Sequence, residues 1–444
     1  MSTIEQHTGS TDQAQPLRHV LGAAWALLAG IALLMLGTGL QGSLLGVRAS
    51  LEGFGTVVTG AIMSSYYVGF LFGSIWSPRL VTGVGHIRVF AAFASVASST
   101  VLLHAVLIEP LGWIVLRVIS GFCIAGLYVV AESWLNDASS NETRGSMLSA
   151  YMIVVSGGLG AGQLLLNVAD PAGFGLFVLT SVLVSLALVP AALSVRANPR
   201  FLQPEPVSFI SVFKAAPLGI VGAILTGASS GAIFTMGVIY AGLIGLSIGQ
   251  ISLFMVAAIF AGALLQWPIG RWSDRTDRRR VIAIAALLAA LAAVFGVMSG
   301  STPGFLQALV VIVAVGGFSF PMYALLNAHT NDWLEPEQMV GAGSRLVLAS
   351  GLGAVTGPVL AAVAMSLVGP VGFFWFILIA NAMIAGYAAW RLTRRRRTES
   401  PSHFTAIAPR GTSVLVAALN PDVWDDDEPK FPTTEIPMVP VPDE

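Results

Sequence analysis

Apolar positions in this chain come in long unbroken runs, separated by short polar breaks. About twenty mainly apolar residues are needed to cross roughly 30 Å of hydrocarbon as a helix. On that rule the runs predict spans near 19–43, 54–76, 89–108, 111–133, 144–168 and 172–193, then near 215–244, 248–270, 281–300, 304–327, 341–366 and 369–390. The strands of a membrane barrel would instead alternate apolar and polar residues over about ten positions. These runs do not alternate. The pattern therefore predicts an all-α membrane protein with twelve transmembrane helices.

The polar stretch from Arg196 to Lys214, with Pro199, Pro204 and Pro206, is the longest interruption between spans. It divides the chain into a six-helix bundle at 19–195, a linker at 196–214 and a second six-helix bundle at 215–390. Within the linker, Val207 to Phe213 reads either as a helix along the membrane surface or as an unstructured connector. A short tail, 1–18, precedes the first bundle. Its first seventeen residues carry no arginine or lysine, and the run that follows is as long as a full span, so a retained helix is expected rather than a cleaved leader. The closing tail, 391–444, opens with Arg391 and Arg394 to Arg397, a cluster suited to anionic lipid heads. It then turns acidic and proline-rich through Asp425, Asp426, Asp427 and Glu428, a composition expected to be disordered.

The two halves repeat. SGGLGAGQ, Ser156 to Gln163 in the fifth span, has a counterpart in SGLGAVTGP, Ser350 to Pro358 in the eleventh, at an offset of about 195 residues. Two parallel repeats around a central cavity are a transporter architecture with its site near the midplane. Charge adds an orientation. All 22 lysines and arginines except Arg48 and Arg117 fall on the side that holds both termini and the even-numbered loops. Positive charge is retained in the cytoplasm during insertion, so both termini are expected there, in a plasma (inner) membrane.

Composition excludes other classes. Only 10% of the 444 residues are charged and 55% are apolar, against roughly 25% and 45–50% in soluble domains. With two lysines and a net charge of −1, no basic face for nucleic acid is available. The lone Cys123 forbids an intramolecular disulfide, and no histidine or cysteine spacing suits a metal. No phosphate-cradling loop with its lysine is present. Neither a cofactor nor catalytic chemistry is expected.

The loop GRWSDRTDRRR, Gly270 to Arg280, resembles the signature loop of the major facilitator superfamily, with a glycine, an acid four residues on and a basic cluster. The resemblance implies that Gly270 lets helices approach closely, that Asp274 accepts hydrogen bonds across a helix end, and that Arg278 joins the ion-pair cluster. The first-half loop, Pro78 to Arg88, is a worn copy. Thr82 stands where Asp274 does, and Gly85 and Arg88 fit the closing glycine and arginine. Asp277 stands where the family usually has glycine. The chain is also similar to the YcaD-type branch over nearly all its membrane region, most densely in QWPIGR (Gln266 to Arg271), VVAESWL (Val129 to Leu135) and RGSMLSAYM (Arg144 to Met152). This implies the fold, two pseudo-symmetric six-helix bundles, but no particular substrate.

Arg117 lies about 9 Å deep in the fourth span. A charge at the centre of a span costs at least about 2.5 kcal/mol, so it is expected to face a cavity or a partner. It matches an arginine of the family, with Gly121 four residues on. Two roles are open: attracting an anionic group or tuning a proton site, or capping backbone carbonyls. Glu132 is about 22 Å further along the same helix. In the family an acid here pairs with the signature loop, so Arg88 or Arg144 is its expected partner, in a latch that includes Gly85, Gly270, Asp274 and Arg278. Arg48 and Glu52 are spaced for an i,i+4 pair. No carboxylate lies mid-membrane in the first or seventh span, which removes the device the resemblance associates with drug and sugar symport. Proton coupling would then fall to Glu132, a histidine or the substrate.

The candidate cavity offers Gln41, Tyr66, Tyr67, Arg117, Tyr151, Gln163, Ser229, Gln266, Tyr323 and Asn327. Each could bind a polar solute or join two helices. The expectation is a monomeric secondary transporter of a small organic solute, possible coupling to a proton or cation included. The rival is a transporter-fold membrane sensor or assembly platform that moves nothing, with the acidic tail as a docking segment.

Overall fold

The computed structural model describes residues 17–137, 139, 143–193, 207–394, 404, 405 and 407. The tail 1–16, most of the linker and the acidic run Asp425 to Glu428 lie outside the described residues. The described chain is helical throughout its ordered elements. The first half comprises α1 (Leu17–Leu51), α2 (Thr56–Val84), α3 (His86–Val106), α4 (Pro110–Asp137), α5 (Arg144–Leu164) with a single 3₁₀ turn after it, α6 (Gly175–Leu186) and α7 (Leu188–Leu193). The short α8 (Phe209–Ala215) leads into the second half. That half comprises α9 (Pro217–Leu243), α10 (Ile248–Arg275), α11 (Arg278–Met298), α12 (Phe305–Ser319), α13 (Met322–Asn331), α14 (Pro336–Val368) and α15 (Gly372–Arg394).

Among the described residues, 11 helical segments are long and apolar enough to cross a membrane, and the shorter apolar Gly175–Pro190 supplies the remaining span. Two spans are broken by proline. Proline cannot donate to the carbonyl four residues back and clashes with it. Pro190 interrupts the sixth span at Ala187, between α6 and α7, and Pro321 separates α12 from α13 in the tenth.

The helices overrun the apolar runs, which corrects the expected loops. The stretch Pro78 to Arg88 is mostly helical. α2 continues through Pro78 to Val84, and the turn into α3 is made by Gly85 at φ 94°, a backbone conformation that glycine adopts without steric cost. The stretch Gly270 to Arg280 is likewise helical except for Thr276 and Asp277. Hydropathy reports only the part of a helix that meets lipid, while backbone hydrogen bonds continue into polar surroundings. α8 answers the question left open for 207–213. It is a helix that buries Val212 and exposes Phe209, Ile210 and Phe213, with Arg345 donating to the Val207 carbonyl at 2.7 Å.

The repeat seen in the sequence becomes a pseudo-twofold packing. Gly158 and Gly162 of α5 lie against the backbone of α1 at Ala32 and Leu36, and Gly353 and Gly357, about 195 residues on, lie against the backbone of α9 at Ile224 and Ala228. Across the interface between the halves, Gly160 of α5 meets Phe260 of α10, and Gly351 of α14 meets Leu71 of α2. In each case the absence of a side chain lets backbones or bulky neighbours close up, the means by which membrane helices pack where no hydrophobic force separates lipid from protein.

Candidate functional site

The seam between the halves is built mainly from α2 with α14, α5 with α10, and α1 with α9. On α2 the residues turned to α14 follow helical spacing. Gly60 meets Pro358 and Ala362, Ser64 donates to the Val355 carbonyl, and Leu71 meets Gly351. Tyr67 falls on the same stripe, between Ser64 and Leu71. It is 6% exposed, and its hydroxyl has no hydrogen-bond partner among the described residues. At the end of the bundle where α1 closes, Val238 stands 3.2 Å from where a Cβ at Gly46 would project, and Asn167 Nδ2 donates to Ser252 Oγ at 3.0 Å.

Behind Tyr67 lies a connected aromatic and cationic array. Its ring meets that of Tyr66 edge-on at 5.4 Å, and the Arg117 guanidinium carbon stands 4.4 Å from the Tyr66 ring centre. Arg117 is 1% exposed. Its position follows from glycines. Gly69, Gly73 and Gly121 bring α2 and α4 into backbone contact, with Gly121 against the Tyr66 carbonyl and Gly69 against that of Val118. A guanidinium over an aromatic face gains about 2 kcal/mol or more when desolvated, which offsets part of the cost of placing the charge there.

Toward the end that carries the basic loops, here called the basic end, α4 presents Tyr128 and then Glu132. Glu132 is fully buried and accepts from the Tyr151 hydroxyl at 2.8 Å. Tyr323 of α13, in the other half, lies in the same buried cluster as Tyr151. Arg88 is exposed at the start of α3. Arg144 donates to Asn136 Oδ1 at 2.5 Å.

The signature segment forms an ion-pair cluster, as its resemblance implied. Arg278 contacts Asp274 at 2.9 Å and Asp332 at 3.5 Å. Asp277, which sequence reading treated only as a departure, caps α11 by accepting from the Arg279 amide at 3.0 Å and pairs with the Arg279 guanidinium at 2.7 Å. Burial pushes the Asp277 carboxyl up, but its hydrogen bonds and charge contact with Arg279 prevail and hold it below the usual range. Arg279 also reaches the Arg391 carbonyl at 3.3 Å, tying α11 to α15. An aspartate immediately before a helix is a recognisable cap signal.

Other candidates make contacts between helices or with the closing tail. Gln163 accepts from Ser43 and donates to the Gly39 carbonyl at 3.0 Å, joining α5 to α1. Ser229 accepts from Asn381 at 3.2 Å, joining α9 to α15. Gln41 is buried with its Nε2 unpartnered among the described residues. It lies one turn beyond Gly37, which meets Val184 of α6, so it belongs to the interior of the first half. Asn327 is buried on α13. The Phe404 ring occupies the space where a Cβ at Gly270 would project, and Gln266 donates to the Ile407 carbonyl at 2.9 Å. At 404 and 407 the closing tail lies against the bundle, with Phe404 partly buried and Ile407 buried. Arg48 makes the expected pair with Glu52 at 2.6 Å and also donates to the Ala172 carbonyl beyond α5.

A multi-pass bundle of two matched repeats, with a polar and aromatic stripe on the seam between them, is the architecture of a membrane transporter. The Major Facilitator Superfamily model matches residues 218–424, and the Sugar (and other) transporter model matches residues 6–205. An uncharacterized MFS-type transporter YcaD of Escherichia coli O45:K1 (strain S88 / ExPEC) is 28% identical over 345 residues, 76% of this chain and 88% of its own length. Among solved structures, the nucleoside transporter NupG superposes with a TM-score of 0.69 at 14% identity, covering 86% of this chain and 100% of its own. A bacterial homolog of the human lysosomal transporter Spinster, inward-facing and occupied, gives 0.65 at 14% identity over 85% of this chain and 99% of its own. Each half is thus similar to a family of membrane transporters, and the fold is that of major facilitator superfamily structures.

Proposed function

We propose that the protein is a secondary transporter that moves a small organic solute by alternating access, driven by an ion or solute gradient. The halves 19–195 and 215–390 rock as units about the seam, and the monomer is the working form. The basic end and both termini face the cytoplasm of a plasma (inner) membrane, in keeping with the charge asymmetry of the loops. The observation that carries the reading is the seam-facing Tyr67 hydroxyl, unpartnered among the described residues and backed by Tyr66 and Arg117. A solute hydroxyl, carbonyl or carboxylate meeting Tyr67 satisfies that group, and the buried cation behind it favours a partial or full negative charge on the solute. Glycine contacts such as Gly60 on Pro358 and Gly351 on Leu71 support small displacements of one half against the other.

The test is reconstitution in proteoliposomes with imposed proton, sodium and solute gradients, against a broad panel of metabolites and drugs. Gradient-dependent uptake of at least one compound is expected. Tyr67→Phe should raise its half-saturating concentration, and Arg117→Met should abolish uptake of an anionic solute. Absence of gradient-dependent flux for every compound refutes the reading.

A further inference from the structure

Gln266, Gly270 and Asp274 recur every fourth residue on α10, so they form one strip along a side of the helix over about 12 Å. One short piece of chain engages all three. The Phe404 amide donates to Asp274 Oδ1 at 3.0 Å, the Phe404 ring occupies the space where a side chain at 270 would project, and Gln266 Nε2 donates to the Ile407 carbonyl at 2.9 Å. Asp274 is nearest the basic end and Gln266 is deepest. The segment therefore runs inward along α10, with Phe404 outermost and Ile407 leading. Ile407 is 3% exposed. It is packed in the apolar cluster that combines Leu148 and Tyr151 of the first half with Tyr323 and Leu346 of the second. Phe404 packs against this cluster and against the second-half cluster around Leu325.

The chemistry of the strip marks a detachable occupant. A helix face covered permanently is best lined with apolar side chains, because each buried polar group must keep a partner. This strip instead carries an amide, a carboxylate and a bare glycine. The first two are satisfied equally by the tail or by water, and the third leaves a slot for a ring. Phe404 and Ile407 are also distant in sequence from α10, so their departure breaks few contacts among the helices themselves.

We propose that Phe404 and Ile407 act as a built-in plug at the basic end of the seam, and that its withdrawal opens the path from that end to the interior. The plug rests on the seam geometry alone; only its consequence, inhibition of flux, rests on the transport reading above.

The test needs no substrate. Cys123, the single native cysteine, is replaced by serine, and Tyr323→Cys serves as a reporter buried in the same cluster as Ile407. The full-length protein in proteoliposomes is labelled with a membrane-impermeant maleimide, and the rate is compared with that of the same protein carrying F404D and I407D. Labelling at least tenfold faster in the double variant is expected, as is a return to within twofold of the original rate when a peptide copying residues 400–411 is added. A scrambled peptide should leave the fast rate unchanged. Gly270→Leu fills the slot without altering the tail and should release the plug in the same way, which guards against misfolding of the first variant. Equal labelling rates in the parent and in folded Gly270→Leu protein, verified by a cooperative thermal melt, overturn the proposal whether or not any flux is ever found.

Discussion

Replacing Gly121 by alanine tests whether backbone contact between α2 and α4 positions Arg117. A Cβ at 121 would stand 2.9 Å from the Tyr66 carbonyl carbon and 3.0 Å from the Phe70 nitrogen, against an ordinary separation of about 3.5–4.0 Å. Closer still is the Tyr66 carbonyl oxygen, and none of the three is a flexible side-chain end, so the helices themselves must part by about 1 Å or more. Overpacking of this kind costs about 1–3 kcal/mol. Alanine recovers about 1 kcal/mol of helix propensity, which leaves a net loss of up to about 2 kcal/mol. Gly157 provides the matched control: it lies in α5, yet nothing stands within 4 Å of a Cβ there. Gly157→Ala should therefore keep the propensity gain and stabilise by as much as about 1 kcal/mol. Thermal unfolding of the detergent-solubilised proteins should show the melting temperature falling for Gly121→Ala and rising for Gly157→Ala. Shifts of the same sign and size in both would refute the claim that contact, rather than glycine content, sets the α2–α4 geometry.

Asp277→Asn keeps a cap oxygen but removes its charge at the start of α11, and should lower stability at pH 7 by about 0.3–1 kcal/mol. Because the carboxyl is held below its usual value, its contribution is present above the unfolded value of about 3.9 and is lost as pH falls through the folded one. The melting temperatures of parent and variant should therefore converge in acid, and a constant gap down to pH 2 contradicts the assignment. Cysteines at Gly60 and Ala362, in the Cys123→Ser background, should join under mild oxidation, since the two positions touch across the seam. In a transporting protein that link should also stop flux, with reduction restoring it; free flux through the oxidised form would show that the contact does not open.

Several features of the site were readable from individual residues. Arg117 stands out because a charge inside an apolar run must find a partner, and the structure supplies Tyr66. The repeat at Gly158, Gly162, Gly353 and Gly357 was legible as spacing and proved to be equivalent packing on α1 and α9. Gly85 was identifiable from its place in the worn loop, and its φ of 94° gives the physical need. By contrast, Gln163, Ser229 and Gln266 looked alike in sequence, each a polar residue in an apolar helix. One joins α5 to α1, another α9 to α15, and the third holds the tail. Nothing local distinguishes these fates, because a hydrogen bond between residues more than 100 positions apart depends on which helix becomes the neighbour.

The sequence by itself determined the solvent, the number of spans and the twofold plan. These follow from run length, charge placement and self-similarity, all of which act through the surrounding lipid and water. Only the tertiary structure decided which polar groups close on one another and which face the seam. It also decided that Asp277 caps a helix, that Glu132 is met by Tyr151, and that Phe404 and Ile407 return to the bundle. The physical reason is that a polar group in a low-dielectric interior takes whatever partner the packing brings within about 3 Å, and packing is a property of the whole chain.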